Sequence, residues 1–317
     1  MKKFLSSKLF ILLMLLVLIV AFFAYQSEGL SLKLFNIRVI LSQIVVSSLL
    51  VIGAAYLMIG GNLDLSSAAN GTLCGMMMAV MLRGGFPWPV AILIALLLGG
   101  AIGLVNAILI NELNFQGFIA TMAVASVAEG LTYVANALAV PIENETVVAI
   151  ANGRFLDNTI PYSMCGVFIV FLIYGIILSR SKFGRQIYLV GGNRSAANLS
   201  GINPKKMSYK LFINNALLSS LAGCLFAAQM RSGSSTGISN NRMTGITAVM
   251  LGGISFGGGS GGMGGAFVGL LIINAFSNGL TIMRVNTYWT TFSSGALLIA
   301  ALLLDALLSR RSMAHGR

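Results

Sequence analysis

The residues that could carry chemistry are few and scattered. One histidine, His315, sits near the end of the 317-residue sequence. With no second histidine and no pair of carboxylates, neither a metal site nor a general acid/base constellation can be drawn. Cys74, Cys165 and Cys224 each lie inside an apolar segment. Their spacing fits neither a disulfide framework nor a CxxC metal site, so they read as packing residues. Gly257-Gly-Gly-Ser-Gly-Gly262 fits GxGxxG on paper. It lacks the preceding strand, the following helix-strand unit and the acidic residue of a dinucleotide site, so it reads as a helix break. No GxxxxGK(S/T) phosphate loop occurs. The expectation is a chain with no catalytic residue, no metal and no cofactor of its own.

What remains is a set of polar groups inside apolar sequence. Glu129 is the one acid deep in an apolar segment, a placement that is rare and often functional. Asp64 precedes Leu65-Ser66 where a helix should start. It can be an N-cap, or it can line or gate a pore with Ser66 and Asn70. The two roles are compatible, because a broken membrane helix is tolerated where it is buried or lines a cavity. Asn214, Asn215, Gln229, Asn274 and Asn278 also fall in apolar runs. They suit hydrogen bonds between helices, and the same groups would suit a pore for a polar solute.

The elements that must position these residues are membrane helices. Hydrophobic types make up 57% of the chain, charged types 9%, and mean hydropathy is +0.90. A soluble domain is about 25% charged. That excludes a soluble enzyme, a disordered chain and a conventional nucleic-acid binder. The net charge of +12 lies between long apolar runs, which makes it a topology signal. A span needs about 20 residues. The uncharged run 243–283 has 41 residues, and nine glycines fall between positions 252 and 265, so it splits in two. Ten helices are expected, at about 8–26, 38–60, 66–82, 88–111, 115–138, 161–179, 207–230, 242–256, 263–283 and 287–308. Those starting near 66 and 242 are short. The first follows Lys2, Lys3 and Lys8 but has no small-x-small cleavage site, so it reads as a retained helix.

Ten spans put both termini on one side. With that side cytoplasmic, thirteen of the 20 basic residues lie inside, and the loop 139–160, with Glu143, Glu145 and Asp157, lies outside. Gly99-Gly-Ala-Ile-Gly-Leu-Val-Asn-Ala107 matches Gly264-Gly-Ala-Phe-Val-Gly-Leu-Leu-Ile-Ile-Asn-Ala275 with one gap. These helices would run in opposite directions, as in an inverted-repeat transporter with halves at about 38–138 and 207–308.

The longest polar stretch is the loop 180–206. Asn193 or Ser195 can cap a short helix at Arg194–Leu199, Gly201 can close it, and Asn203-Pro204 can start the next span. Such a helix, held between two spans, is a surface on which another protein can push. A plain connecting loop anchored by positive charge is the alternative.

The run SKFGRQIYLVGGNRSAANLSGINPKKM resembles the cytoplasmic loop of permease subunits in ribose-type ABC importers, where it reads roughly GR.I.A.GGN..AA.LSGI. Ile59-Gly-Gly-Asn-Leu-Asp-Leu-Ser66 is similar to that family's GGIDLS. Gln116-Gly-Phe-Ile-Ala-Thr-Met122 is similar to its FIATL, and Val249-Met-Leu-Gly-Gly253 with the glycines that follow to its VLGG.S..GG.G. The resemblance covers about residues 40–305, and the four motifs together are specific. The chain is thereby identified as a member of the ribose/branched-chain amino acid permease superfamily.

The resemblance implies an all-α polytopic membrane protein, a single permease domain with a fold similar to the vitamin B12 permease. It implies the cytoplasmic membrane of a prokaryote as location, with both termini cytoplasmic. Expected partners are a second permease chain, a cytoplasmic sugar-type ATPase that binds ATP and magnesium, an extracytoplasmic solute-binding protein, and the lipid bilayer. No nucleic acid is expected. The coupling helix that docks into the ATPase would comprise Gly191, Gly192, Asn193, Ala196, Ala197, Leu199, Ser200, Gly201 and Ile202. The cargo would be a monosaccharide or a related solute. Many relatives carry arginine where this chain has Glu129, and an acid where it has Arg242. The opposite signs lead to the expectation that Glu129 and Arg242 form an ion pair near the outer end. An ion-coupled secondary transporter is the alternative. It would need several intramembrane acids, and only Glu129 and Asp64 are on offer.

Overall fold

The computed structural model describes residues 8–156 and 159–286 and, beyond them, positions 288–289, 292–293, 295–297, 299 and 302–303. The helix expected at 287–308 lies for the most part outside the described residues, as do His315 and the terminal basic residues of the orientation count. The described chain is all-helical apart from four two-residue strands.

Long apolar runs become long helices, because only a closed ladder satisfies backbone groups in hydrocarbon. They are α1 (Lys8–Gln26), α2 (Leu34–Ile59), α3 (Ser67–Arg83), α4 (Trp88–Asn111) and α5 (Gly117–Ala135), then α6 (Glu145–Asn152) and α7 (Tyr162–Arg180). After them come α8 (Lys182–Gly192), α9 (Arg194–Leu199), α10 (Pro204–Gln229), α11 (Arg242–Leu251) and α12 (Met263–Ile282). Among the described residues, seven helices are long and apolar enough to cross a membrane: α1, α2, α4, α5, α7, α10 and α12. With 17 residues, α3 falls just short, and α11 has only 10.

Several boundaries differ from expectation. The helix α2 starts at Leu34 rather than 38, directly after its cap Lys33. The apolar span expected from 207 is entered through the Asn203-Pro204 start, with Lys205 and Lys206 in the first turn of α10. The helix expected at 242–256 ends at Leu251, because Gly252 and Gly253 turn the chain. Two elements were not expected. Asn144 accepts from the Val147 N–H and starts α6 inside the presumed loop, and Ser181 accepts from the Gly184 N–H and starts α8.

The helices α2 and α10 are the most enclosed, with 67% of their apolar windows buried against 11–28% for α1, α4, α5 and α7. Two short ribbons tie the connections on one face. β1 (Val140–Pro141) pairs antiparallel with β4 (Ser232–Gly233), and β2 (Arg154–Phe155) with β3 (Ile160–Pro161).

The packing has an exchange pattern. The helix α10 lies on α3 and α4, while α2 lies on α11 and α12. Small residues set both contacts. Gly71 of α3 and Gly223 of α10 meet backbone to backbone, and Gly252 after α11 meets Gly265 of α12. A methyl group on either Gly223 or Gly252 would overlap the opposing main chain. In a bilayer, with no hydrophobic force between helices, such close approach is the main source of association.

This gives a direct test. Gly223→Val should destabilise the detergent-solubilised protein by about 3 kcal/mol or more, the upper range for overpacking. Gly130→Ala in α5, where an added methyl meets nothing within 4 Å, should be neutral or slightly stabilising. Thermal unfolding of both variants beside the wild type reads the difference.

Candidate translocation site

Between α2 and α3 the chain leaves helical geometry over residues 60–66. Gly61 takes a left-handed conformation, φ +72°, and the chain then turns back into the bundle. Broken backbone among apolar helices needs partners, and side chains from four segments supply them. Asp64 Oδ1 accepts from the Ser66 N–H at 2.7 Å and the Ser66 hydroxyl at 2.6 Å. Its Oδ2 accepts from Asn215 Nδ2 at 2.7 Å and the Ser67 hydroxyl at 3.2 Å. Thr121 of α5 accepts from the Leu65 N–H at 3.1 Å, and Asn106 of α4 donates to the Ser66 hydroxyl at 2.7 Å. Asn70 donates to the Ala216 carbonyl and the Ser219 hydroxyl on α10.

The N-cap expectation for Asp64 is corrected in detail. The helix begins at Ser67, with Ser66 as the capping residue. Asp64 holds the turn just before it. The expected pore residues also separate. Asp64, Ser66, Asn70 and Asn215 form one buried cluster, and Ser66 and Asn70 are each only 1% exposed. Asn214, next to Asn215, faces α7 and accepts from the Tyr174 hydroxyl at 2.6 Å. Asn274 on α12 lines a cavity. Asn278 makes a reciprocal pair with Asn36, both bonds 2.9 Å, and the Gln229 amide donates to the Ser42 carbonyl.

That cavity, of about 460 Å³, lies between α2, α10, α11 and α12. Ser42, Gln43 and Ser47 line it from the first half of α2, and Gln229, Asn241, Thr244, Asn274 and Ser277 from the other helices and the turn before α11. Asn152 at the end of α6 and Arg154 just after it close the cavity, and the Arg154 guanidinium donates to the Ser42 hydroxyl at 3.1 Å. Sequence reading missed Ser42, Gln43, Asn152, Arg154 and Thr244. The serines and glutamine interrupt an otherwise apolar run at 42, 43 and 47, which is a signal; Arg154 gave none.

Below the cavity is a void of about 10 Å³, lined among others by Leu50, Ala54, Asp64, Asn241, Arg242 and Gly245. Arg242, the first residue of α11, forms an ion pair with Glu129 of α5. A second pair, Lys205 to Glu112 at 2.9 Å, joins the end of α4 to the start of α10. There the Lys205 hydrogen bond holds the Glu112 carboxyl below the usual carboxylate range.

The other end of α2 meets the loop 180–206. The Ile59 carbonyl accepts from the Gly259 N–H at 2.8 Å, and Arg194 donates to the Asn62 side chain at 2.8 Å. Asn193, rather than Ser195, caps α9 by accepting from the Ala196 N–H at 3.0 Å. Gly201 closes the helix with φ +79°, and Asn203 caps α10. Gly191 packs on the Ile59 carbonyl, Ala197 is buried and Ile202 packs on the core. Gly192, Ala196, Ser200 and Gly201 face outward, and Leu199 is 91% exposed at the tip.

Asp64→Ala would leave the Ser66 N–H, the Ser66 and Ser67 hydroxyls and one N–H of Asn215 without their acceptor. Each buried unpaired group costs about 1–3 kcal/mol, so a loss of about 3 kcal/mol or more is expected. Asn214→Ala, which removes one hydrogen bond, should cost about 1 kcal/mol. Denaturant unfolding in detergent checks both.

Residues 36–302 match the family described as branched-chain amino acid transport system / permease component. The ribose import permease protein RbsC of Bacillus subtilis is 31% identical over 85% of this chain and 84% of its own length. The D-allose transport system permease protein AlsC of Escherichia coli is 32% identical over 93% and 91%. The galactose/methyl galactoside import permease protein MglC of Haemophilus influenzae is 30% identical over 94% and 93%. No solved structure matches the chain. The family match over most of the sequence, with seven long apolar helices among the described residues, makes this chain a multi-pass membrane transport component, a member of the branched-chain amino acid transport system / permease component family.

Proposed function

We propose that the chain is the membrane-spanning permease subunit of an ATP-driven importer that carries a monosaccharide across the cytoplasmic membrane. The observation that carries the reading is the placement of two features on one helix. A polar cavity lies along the first half of α2, and the exposed helix α9 lies at its other end. A cavity of 300–1,000 Å³ is the usual range for a small ligand, and its lining of amides and hydroxyls suits a polyol. The names of the relatives, which include ribose, D-allose and galactose permeases, agree with that chemistry.

In this reading residues 1–317 form one permease domain with about ten transmembrane helices, and the tenth lies at 287–308. Both termini are cytoplasmic. The halves 38–138 and 207–308 are inverted repeats in a fold similar to the vitamin B12 permease. The exchange of α10 and α2 between the short-and-long helix pairs supports the repeat. A solute-binding protein delivers sugar to the cavity on the outside. A separate ATPase, with ATP and magnesium, docks on residues 191–202, and two permease chains make the channel. Asp64, Ser66, Asn70 and Asn215 hold the broken helix rigid beside the path, and Asn274 lines it. The ion-coupled alternative is weaker, because Asp64 already accepts four hydrogen bonds and Glu129 is paired with Arg242.

Co-purification with the candidate ATPase tests this. Proline cannot adopt the positive φ of Gly201, and Leu199→Asp places a charge where an apolar tip should dock. The wild type should retain the ATPase, and Gly201→Pro and Leu199→Asp should each weaken retention by about tenfold or more, the loss of one interface hot spot. A chain that binds no ATPase and moves sugar on an ion gradient alone would establish the secondary transporter instead.

A further inference from the structure

The floor of the cavity is a short helix, buried from Gly245 to Met250 against α2 and α12 and tied towards α3 and α5 at its N-terminal end. With 10 residues, α11 is too short to span. Behind it comes the glycine-rich stretch after Leu251, and before it a 3-10 turn at Ser239–Asn241. Asn241 and Thr244 face the cavity, and Arg242 and Gly245 face the small void beneath. The first turn of α11 therefore stands between the two spaces, and moving it would change what separates them. On one side α11 is packed tightly on α12, where Gly269 approaches the Ala248 main chain. On the other side, the Arg242–Glu129 ion pair reaches α5, which itself packs on α3 and α4.

The ion pair thus adds a charged tie between two packing groups, α2–α11–α12 and α3–α4–α5–α10, which also meet along the α2–α10 contact. Of the two ion pairs among the described residues, Lys205–Glu112 lies within the second group. Arg242–Glu129 crosses between them, close to the Thr72 hydrogen bonds to Ile238 and Ser239 that hold the turn before α11. Its burial also fits a contact that breaks and re-forms. The side chains are 23% and 35% exposed, so the bundle encloses the pair only in part, unlike a fully buried pair. Yet both are screened enough for the attraction to exceed that of a surface pair.

We propose that Glu129 and Arg242 are the latch of the cavity floor: their ion pair holds α11 against α5 while the cavity is open, and its release lets α11 move so that solute can pass. Both are positioning residues, acting on the path through α11. The proposal rests on the transport reading above, and the test separates the two.

The complex of permease, ATPase and binding protein is reconstituted in liposomes. Uptake of radiolabelled D-ribose, D-allose and D-galactose is followed with and without ATP. Glu129→Gln and Arg242→Gln should each raise ATP-independent leak by about tenfold and lower ATP-driven uptake, since either leaves one charge unpartnered. The exchanged pair Glu129→Arg/Arg242→Glu should restore both towards wild type, which a role in overall packing would not require. In parallel, hydrogen exchange should increase across residues 242–251 in the single variants and return to wild type in the exchanged pair, with α10 unchanged in all. Single variants with wild-type leak and exchange, or an exchanged pair as defective as the single variants, would overturn the latch. If the wild type carries none of the three sugars under ATP, the sugar-transport reading is what fails, and hydrogen exchange at α11 alone decides the latch.

Discussion

A break in a helix inside hydrocarbon exposes main-chain groups that water cannot reach, and everything near the centre of this protein follows from closing that break. The segment 60–66 is non-helical beside the middle of α10, where Asn215 meets Asp64. One carboxylate takes the Ser66 N–H and gathers three side-chain donors around it, from Ser66, Ser67 and Asn215. Thr121 and Asn106 finish the task. Because these partners come from α4, α5 and α10, the break also fixes which helices must lie side by side. The crossing of Gly71 and Gly223 is then a necessity, since only glycine allows α3 and α10 to come within reach.

The rigid centre divides two unlike ends. On one, polar side chains from several segments leave a cavity. On the other, α8 and α9 grip the end of α2 through Ile59, Asn62 and Gly191. A push on α9 is therefore delivered to the end of the helix that walls the cavity, through packed backbone with little slack. This is the rigid-body coupling that domain-rocking transitions require.

Local chemistry was legible in the sequence, and tertiary assembly was not. The cap at Asn193, the left-handed Gly201 and the start of α10 at Asn203 all depend on residues within a few positions of one another. The glycine run correctly divided α11 from α12. The helix α8 escaped notice because its composition resembles a basic loop and only Ser181 marks its start. Asn214 and Asn215 looked equivalent, but neighbours on a helix point about 100° apart, and they serve α7 and Asp64 respectively. The cavity draws on residues from 39 to 277, so no spacing along the chain could reveal it.

The partner that Asp64 needs lies 151 residues downstream. During synthesis, at about 5–20 residues per second, on the order of ten seconds pass before Asn215 follows Asp64 out of the ribosome. Through that interval the nascent chain holds a 17-residue helix headed by an acid that has its local serine donors but lacks Asn215. The contacts of the segment 60–83 with α10 can form only once α10 has been made. The order in which the bundle closes is then not the order of translation: α4 and α5 are synthesised first, and the packing of α3 is completed only when α10 arrives.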